Sequence, residues 1–140
     1  MASSFMIPNT NPIDATASTS VNILASTPVV KVPKSVEEMV KEYFKNDPIM
    51  AKVAWCESRN RQFEKDGVTV FRGKVNNDDV GVMQVNTYYH LKTSQKLGMD
   101  IMTLEGNLAY AKYLYDREGT VPWNSSSPCW RSTEVALNTK

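Results

Sequence analysis

The sequence predicts an α+β fold, mainly helical, with a small antiparallel β insert and a cleft between the two parts. Three observations carry this expectation. Apolar residues recur at helical spacing up to about residue 58 and again towards the C-terminal end. Between them, from Arg61 to Gln84, short β-branched runs alternate with turn pairs such as Asp66-Gly67. No internal repeat interrupts this order, and no run of eighteen apolar residues occurs that would span a bilayer. Helices flanking a small sheet form a plan that leaves a cleft where the two parts meet.

Composition shifts near residue 34. From Met1 to Val30 the only charged side chain is Asp14, and Ser, Thr, Asn, Pro and Ala dominate. Such a stretch buries too little to offset the entropy of ordering, so residues 1–34 are expected to form a flexible leader. With no Lys or Arg before Lys31 and no sustained apolar core, it does not read as a secretory signal. The folded domain is expected over 35–140, with its core at about 35–130.

Ser35 and Glu38 make a capping box, and Val36, Met39, Val40, Tyr43 and Phe44 then recur on one helical face. Asn46-Asp47-Pro48 ends that helix and starts a second, with Asp47 as N-cap and Pro48 at the first helical position. This second helix runs without Gly or Pro to Cys56-Glu57-Ser58. Two or three short antiparallel strands are expected from Arg61 to Gln84. A short helix then ends at Gly98, and a longer one runs from Asp100 or Thr103 to Glu118, closed by Gly119. Its inner stripe reads Leu104, Asn107, Leu108, Ala111, Leu114 and Tyr115. An irregular aromatic segment with Trp123 and Trp130 completes the chain.

Composition narrows the chemistry. Sixteen Lys and Arg against fifteen Asp and Glu give a net charge of +1, too little to argue for nucleic acid or an anionic membrane as partner. One histidine, His90, and two cysteines are too few for zinc fingers, iron–sulfur sites or multi-histidine centres. No metal or other cofactor is expected. Asn76, Asn77, Asp78 and Asp79 lack calcium-loop spacing and read as a polar turn. His90 reads as a surface or helix-start residue.

Glu57 is the residue out of place. It continues the apolar face of Met50, Val53 and Ala54 by steps of three and four. A carboxyl group there either turns to solvent at the helix end or is held half-buried. In the second case desolvation raises its pKa, and an acid that keeps its proton near neutrality can protonate a leaving oxygen. In the segment Asp79-Val80-Gly81-Val82-Met83-Gln84-Val85-Asn86 the polar side chains Gln84 and Asn86 alternate with apolar ones, and Gly81 permits a close backbone approach. Amides on such a strand offer donors and acceptors suited to sugar hydroxyl and N-acetyl groups.

Ala54-Trp55-Cys56-Glu57-Ser58 followed by Gly81-Val82-Met83-Gln84-Val85-Asn86 resembles the lysozyme-like superfamily, and in particular the soluble lytic transglycosylase domain. That family shows Glu-Ser, a β segment and then Gly-x-Met-Gln. Asn107 to Leu114 is similar to a third block, a helix beginning on Asn and closing on Tyr-Leu, with Ala111 at its glycine. The blocks span roughly residues 35 to 130 in the family's order. Two departures stand out. Asn76-Asn77-Asp78-Asp79 replaces a Ser-x-x-Gly-Ala stretch, and Pro122-Trp123-Asn124 offers no counterpart to a later Ala-Tyr-Asn block. Asp79-Val80-Gly81 instead resembles c-type lysozymes, whose second catalytic carboxylate precedes that glycine by two residues.

The resemblance implies cleavage of the β-1,4 bond between N-acetylmuramic acid and N-acetylglucosamine in peptidoglycan. Glu57 would be the general acid. In a transglycosylase the same Glu returns as base and a 1,6-anhydro sugar forms, whereas in a hydrolase Asp79 would assist and water would complete the reaction. Ser58, Met83, Gln84, Asn86 and Tyr113 would line the saccharide cleft. A non-catalytic glycan-binding module is the remaining alternative. The implied setting is outside the cytoplasm, with glycan strands as partner and the protein a monomer. Export favours a Cys56–Cys129 disulfide over two buried thiols.

Overall fold

Ser35 opens the first helix as a capping box requires: its hydroxyl oxygen accepts from the Glu38 N–H, and the Glu38 carboxylate accepts from the Ser35 N–H. Helix α1 (Val36–Tyr43) follows. The structure is a computed structural model that describes residues 31–132. The expected leader therefore lies outside the described residues except for positions 31–34.

Helix α2 (Pro48–Ser58) starts with Pro48 in its first turn, where a missing N–H costs nothing. Asp47 is at the N-cap position, but its side chain makes no capping hydrogen bond. It lies 3.6 Å from Lys112 Nζ instead. Arg59 (φ 58°) and Asn60 (φ 58°) turn left-handed and stop α2 directly after Ser58. Helix α3 (Thr87–Lys96) is capped by Asn86, whose Oδ1 accepts from the Tyr89 N–H. Helix α4 (Leu104–Glu118) is capped by Thr103 and closed by Gly119. The aromatic C-terminal segment, expected to be irregular, is a 3-10 helix (Val121–Ser126) running into the short helix α5 (Ser127–Trp130).

The β part is smaller than the sequence suggests. Strands β1 (Asp79–Val80) and β2 (Val85–Asn86) pair antiparallel, Asp79 opposite Asn86 and Val80 opposite Val85. Residues 61–78 contribute only the isolated bridges Phe63–Val70 and Arg72–Val80. Side chains compete for the backbone there. Asp66 Oδ1 accepts from the N–H groups of Val68 and Thr69, and Asn76 Oδ1 accepts from that of Asp78. Val68 and Val75 have no layer to pack against and are exposed. Gly81 to Gln84, read above as continuous strand, is a tight turn between β1 and β2.

The core gathers Val40 of α1 and Phe44 at its C-cap, Met50 and Val53 of α2, Leu108 and Ala111 of α4 and both C-terminal tryptophans. Burying each large apolar side chain contributes about 1.5–3 kcal/mol before entropy is counted. Met83 enters this core from the turn, which brings the β part against the helices. The Cys56–Cys129 disulfide, with Cα atoms 5.9 Å apart, ties α2 to α5 across 73 positions of sequence. None of the helices among the described residues is long and apolar enough to cross a membrane.

Candidate active site

Glu57 occupies the last turn of α2, which the left-handed residues Arg59 and Asn60 end directly after Ser58. The side chain is half-buried and lines a cavity of about 340 Å³. Burial raises its pKa above the ordinary carboxylic value. A hydrogen bond from Ser126 opposes that rise, and the charge of Asp79 adds to it. Ser126 Oγ stands 2.5 Å from Glu57 Oε1.

Asp79 faces the same cavity from β1. The register places it opposite Asn86, whose Nδ2 donates to Asp79 Oδ1 at 2.7 Å. Asn86 thereby uses its oxygen to cap α3 and one amide hydrogen to hold Asp79, leaving a second amide hydrogen for a ligand. Gln84 joins the lining, its amide nitrogen donating to the Gly81 carbonyl at 2.9 Å. Of the residues expected from sequence, Glu57, Asp79, Gln84 and Asn86 are thus brought together.

Ser58, Met83 and Tyr113 do not line this cavity. Ser58 is 2% exposed, its hydroxyl 2.8 Å from the Val82 carbonyl oxygen and 3.2 Å from that of Ala54. Following Glu57 by one residue on a helix turns it about 100° away from the cavity. Met83 is fully buried in the core because the chain turns at Gly81–Gln84 instead of alternating. Tyr113 packs half-buried against the core, with its ring 5.5 Å from that of Tyr110.

The turn itself is held by buried amides. Asn107 Oδ1 accepts from the Met83 N–H at 2.9 Å, and its Nδ2 donates to the carbonyls of Val80 and Ile101. Gln62 Oε1 accepts from the Val82 N–H at 2.9 Å while its Nε2 donates to Met102. Gly81 (φ 70°) must be glycine here, since a Cβ would fall 2.5 Å from Asn107 Nδ2 and 2.6 Å from Gln62 Oε1. These bonds fix the backbone from which Asp79, Gln84 and Asn86 project.

Several other lining residues carry no local sign in the sequence. Glu118, at the end of α4, adds a third carboxylate. Tyr89 lines the cavity while remaining exposed, and Trp123 forms a buried wall, its Nε1 donating to the Met83 carbonyl. His90, expected at the surface or at a helix start, lies half-buried within α3 with Nδ1 3.1 Å from the Tyr110 hydroxyl. Burial lowers its pKa, against the pull of Glu118. A helix-face count could have paired Tyr89 with Asn86, but Ser126 and Glu118 reach the site only through tertiary packing.

Three carboxyl groups and no Lys or Arg line the cavity. Such a surface disfavours polyanions and suits neutral, hydroxyl-rich ligands that hydrogen-bond to amides and pack on aromatic rings. An acid whose protonated form is favoured by burial, set beside a second carboxyl group, can deliver a proton to a leaving oxygen and then take one up. No group of three or more His, Cys, Asp or Glu among the described residues forms a metal-binding cluster. No protein-family profile, curated protein or solved structure matches this chain.

Proposed function

We propose that this protein cleaves the β-1,4 bond between N-acetylmuramic acid and N-acetylglucosamine in peptidoglycan, by lytic transglycosylation on a lysozyme-like fold. The observation that carries this reading is the half-buried Glu57 with its raised pKa, facing Asp79, Gln84 and Asn86 across one cavity. The motif resemblance and its order along the chain support the same reading. Glu57 gives its proton to the glycosidic oxygen as the bond from that oxygen to the muramic C1 breaks. The Glu57 carboxylate then accepts the proton of the muramic 6-hydroxyl, whose oxygen bonds to C1 and closes the 1,6-anhydro ring. The disulfide supports a setting outside the cytoplasm. The protein acts as a monomer on glycan strands.

A second reading, hydrolysis, is favoured by one observation: Asp79 is in the cavity, held by Asn86, where a carboxylate would stabilise a developing cation. Mass spectrometry of products from purified sacculi separates the two. Anhydro-muramic ends are expected, reducing ends would mean a hydrolase, and binding without any release would leave a glycan-binding module.

A further inference from the structure

The Ser126 hydroxyl meets two acceptors. Its Oγ is 2.5 Å from Glu57 Oε1 and 3.1 Å from the Trp123 carbonyl oxygen. A hydroxyl has one hydrogen and two lone pairs, so it cannot donate to both at once. The two possible arrangements match the two protonation states of Glu57. An ionised carboxylate only accepts, and the Ser126 hydrogen then points to Glu57. A protonated Glu57 donates to Ser126 Oγ, and the serine hydrogen turns to the Trp123 carbonyl. No heavy atom has to move between the two.

We infer that Ser126 is a positioning residue that holds Glu57 in both of its states, accepting from the acid and donating to the base. The inference rests on the reading of Glu57 as acid and then base, and supplies what that reading requires: a partner that does not let go when the proton leaves.

The surroundings are built to keep the pair together. The Trp123 carbonyl that takes the hydrogen in the acid state is also 3.1 Å from Trp130 Nε1. Trp123 is itself buried and anchored through its Nε1 to Met83. Cys56 precedes Glu57 and Cys129 follows Ser126 by three positions, so the disulfide ties the two segments covalently beside the contact.

Removing the hydroxyl has a defined sign. The bond to the ionised carboxylate is charge-assisted and stronger than the bond in the neutral state, so its loss favours the acid form. The other titratable groups of the cavity do not replace it. They are Asp79 on β1, Tyr89 and His90 on α3, and Glu118 on α4. The 3-10 helix and α5 carry no charged side chain. On α1, which packs against α2, Glu37, Glu38, Lys41 and Glu42 do not line the cavity.

The test follows the Glu57 carboxyl carbon by NMR titration, assigned by its absence in Glu57→Gln, together with the pH profile of muropeptide release. In Ser126→Ala the Glu57 midpoint should rise by about one pH unit, and the alkaline limb of activity should move with it. Ser126→Thr should restore both to wild type. Ser126→Val, isosteric with threonine, should behave as alanine and gives the same comparison if the alanine variant does not fold. A midpoint unchanged on loss of the hydroxyl overturns the inference. A midpoint that shifts in a protein releasing no muropeptides would sink the proposed activity while leaving the Ser126–Glu57 coupling intact.

Discussion

The hydroxyl oxygen of Ser58 lies 2.8 Å from the carbonyl oxygen of Val82, 24 residues further along the chain. The residue next to Glu57 thus helps to hold the turn that carries Gln84 and separates Asp79 from Asn86. One end of α2 thereby carries both the candidate acid and a tether to the backbone that presents its companions. The separation of tasks between adjacent residues makes substitutions at Glu57 interpretable.

Glu57→Gln keeps the shape of the side chain and the acceptor for the Ser126 hydrogen but removes the acidic proton. Turnover should fall by about 10²–10⁴-fold, the usual contribution of a general acid, with circular dichroism and binding to sacculi unchanged. Release of muropeptides within a few-fold of wild type would remove Glu57 from the mechanism.

The pH dependence follows from the direction of the Glu57 shift. Its pKa is raised chiefly by burial, so the protonated form persists to higher pH than in an exposed Glu. Activity that needs the proton should be highest in mildly acidic solution and fall as pH rises through the raised value. Stability moves the same way: the folded state holds this proton more tightly than the unfolded chain. That contribution is complete below the unfolded pKa and is lost as pH rises through the folded one. Urea midpoints of wild type and Glu57→Gln across this range, compared pairwise, isolate the effect.

Asp79→Asn keeps an oxygen able to accept from Asn86 Nδ2, so it removes charge with little change in local bonding. Transglycosylation should tolerate it within about tenfold, because the substrate supplies the nucleophile. A hydrolase should lose about 10²–10³-fold, as expected when a group stabilising charge in the transition state is removed. The size of the loss and the nature of the new chain ends should agree. A large loss joined to reducing ends would reassign the reaction.

Reduction should destabilise the protein. Opening a loop of 73 positions releases chain entropy worth about 4 kcal/mol in the unfolded state. Cys56→Ser with Cys129→Ser should show the same loss in denaturant melts. Activity should fall in parallel, since the bridge adjoins Glu57. Two alkylated thiols on freshly isolated, unreduced protein would contradict the bridge.

Much of the helical frame was legible because its signals are local. Ser35 with Glu38, Thr103 with Gly119, and the i, i+3, i+4 spacing that ends on Glu57 are all contained within a few turns of chain. The β part was not. Gln84 and Asn86 alternate with apolar residues as in a strand, yet Gly81 (φ 70°) and Gln84 (φ 50°) reverse the chain between Val80 and Val85. The amides that permit this reversal come from Gln62 and Asn107, 20 and 24 residues from their partners. Ser58 and Met83 were expected in the cleft from the resemblance alone, and the approach of Ser126 to Glu57 across 69 positions left no trace in the local pattern.

The turn at Gly81–Gln84 reverses the usual ranking of protection within a hairpin. Turn amides ordinarily meet water and exchange their hydrogens for deuterium early, while the strands resist. Here the N–H groups of Val82 and Met83 point into the Gln62 and Asn107 side chains, and both residues are fully buried. Releasing these hydrogens requires the turn to leave Gln62, Asn107 of α4 and the core. In deuterium exchange these two amides should therefore outlast the exposed segment from Lys65 to Thr69 by a wide margin and be released only with the interior of α4.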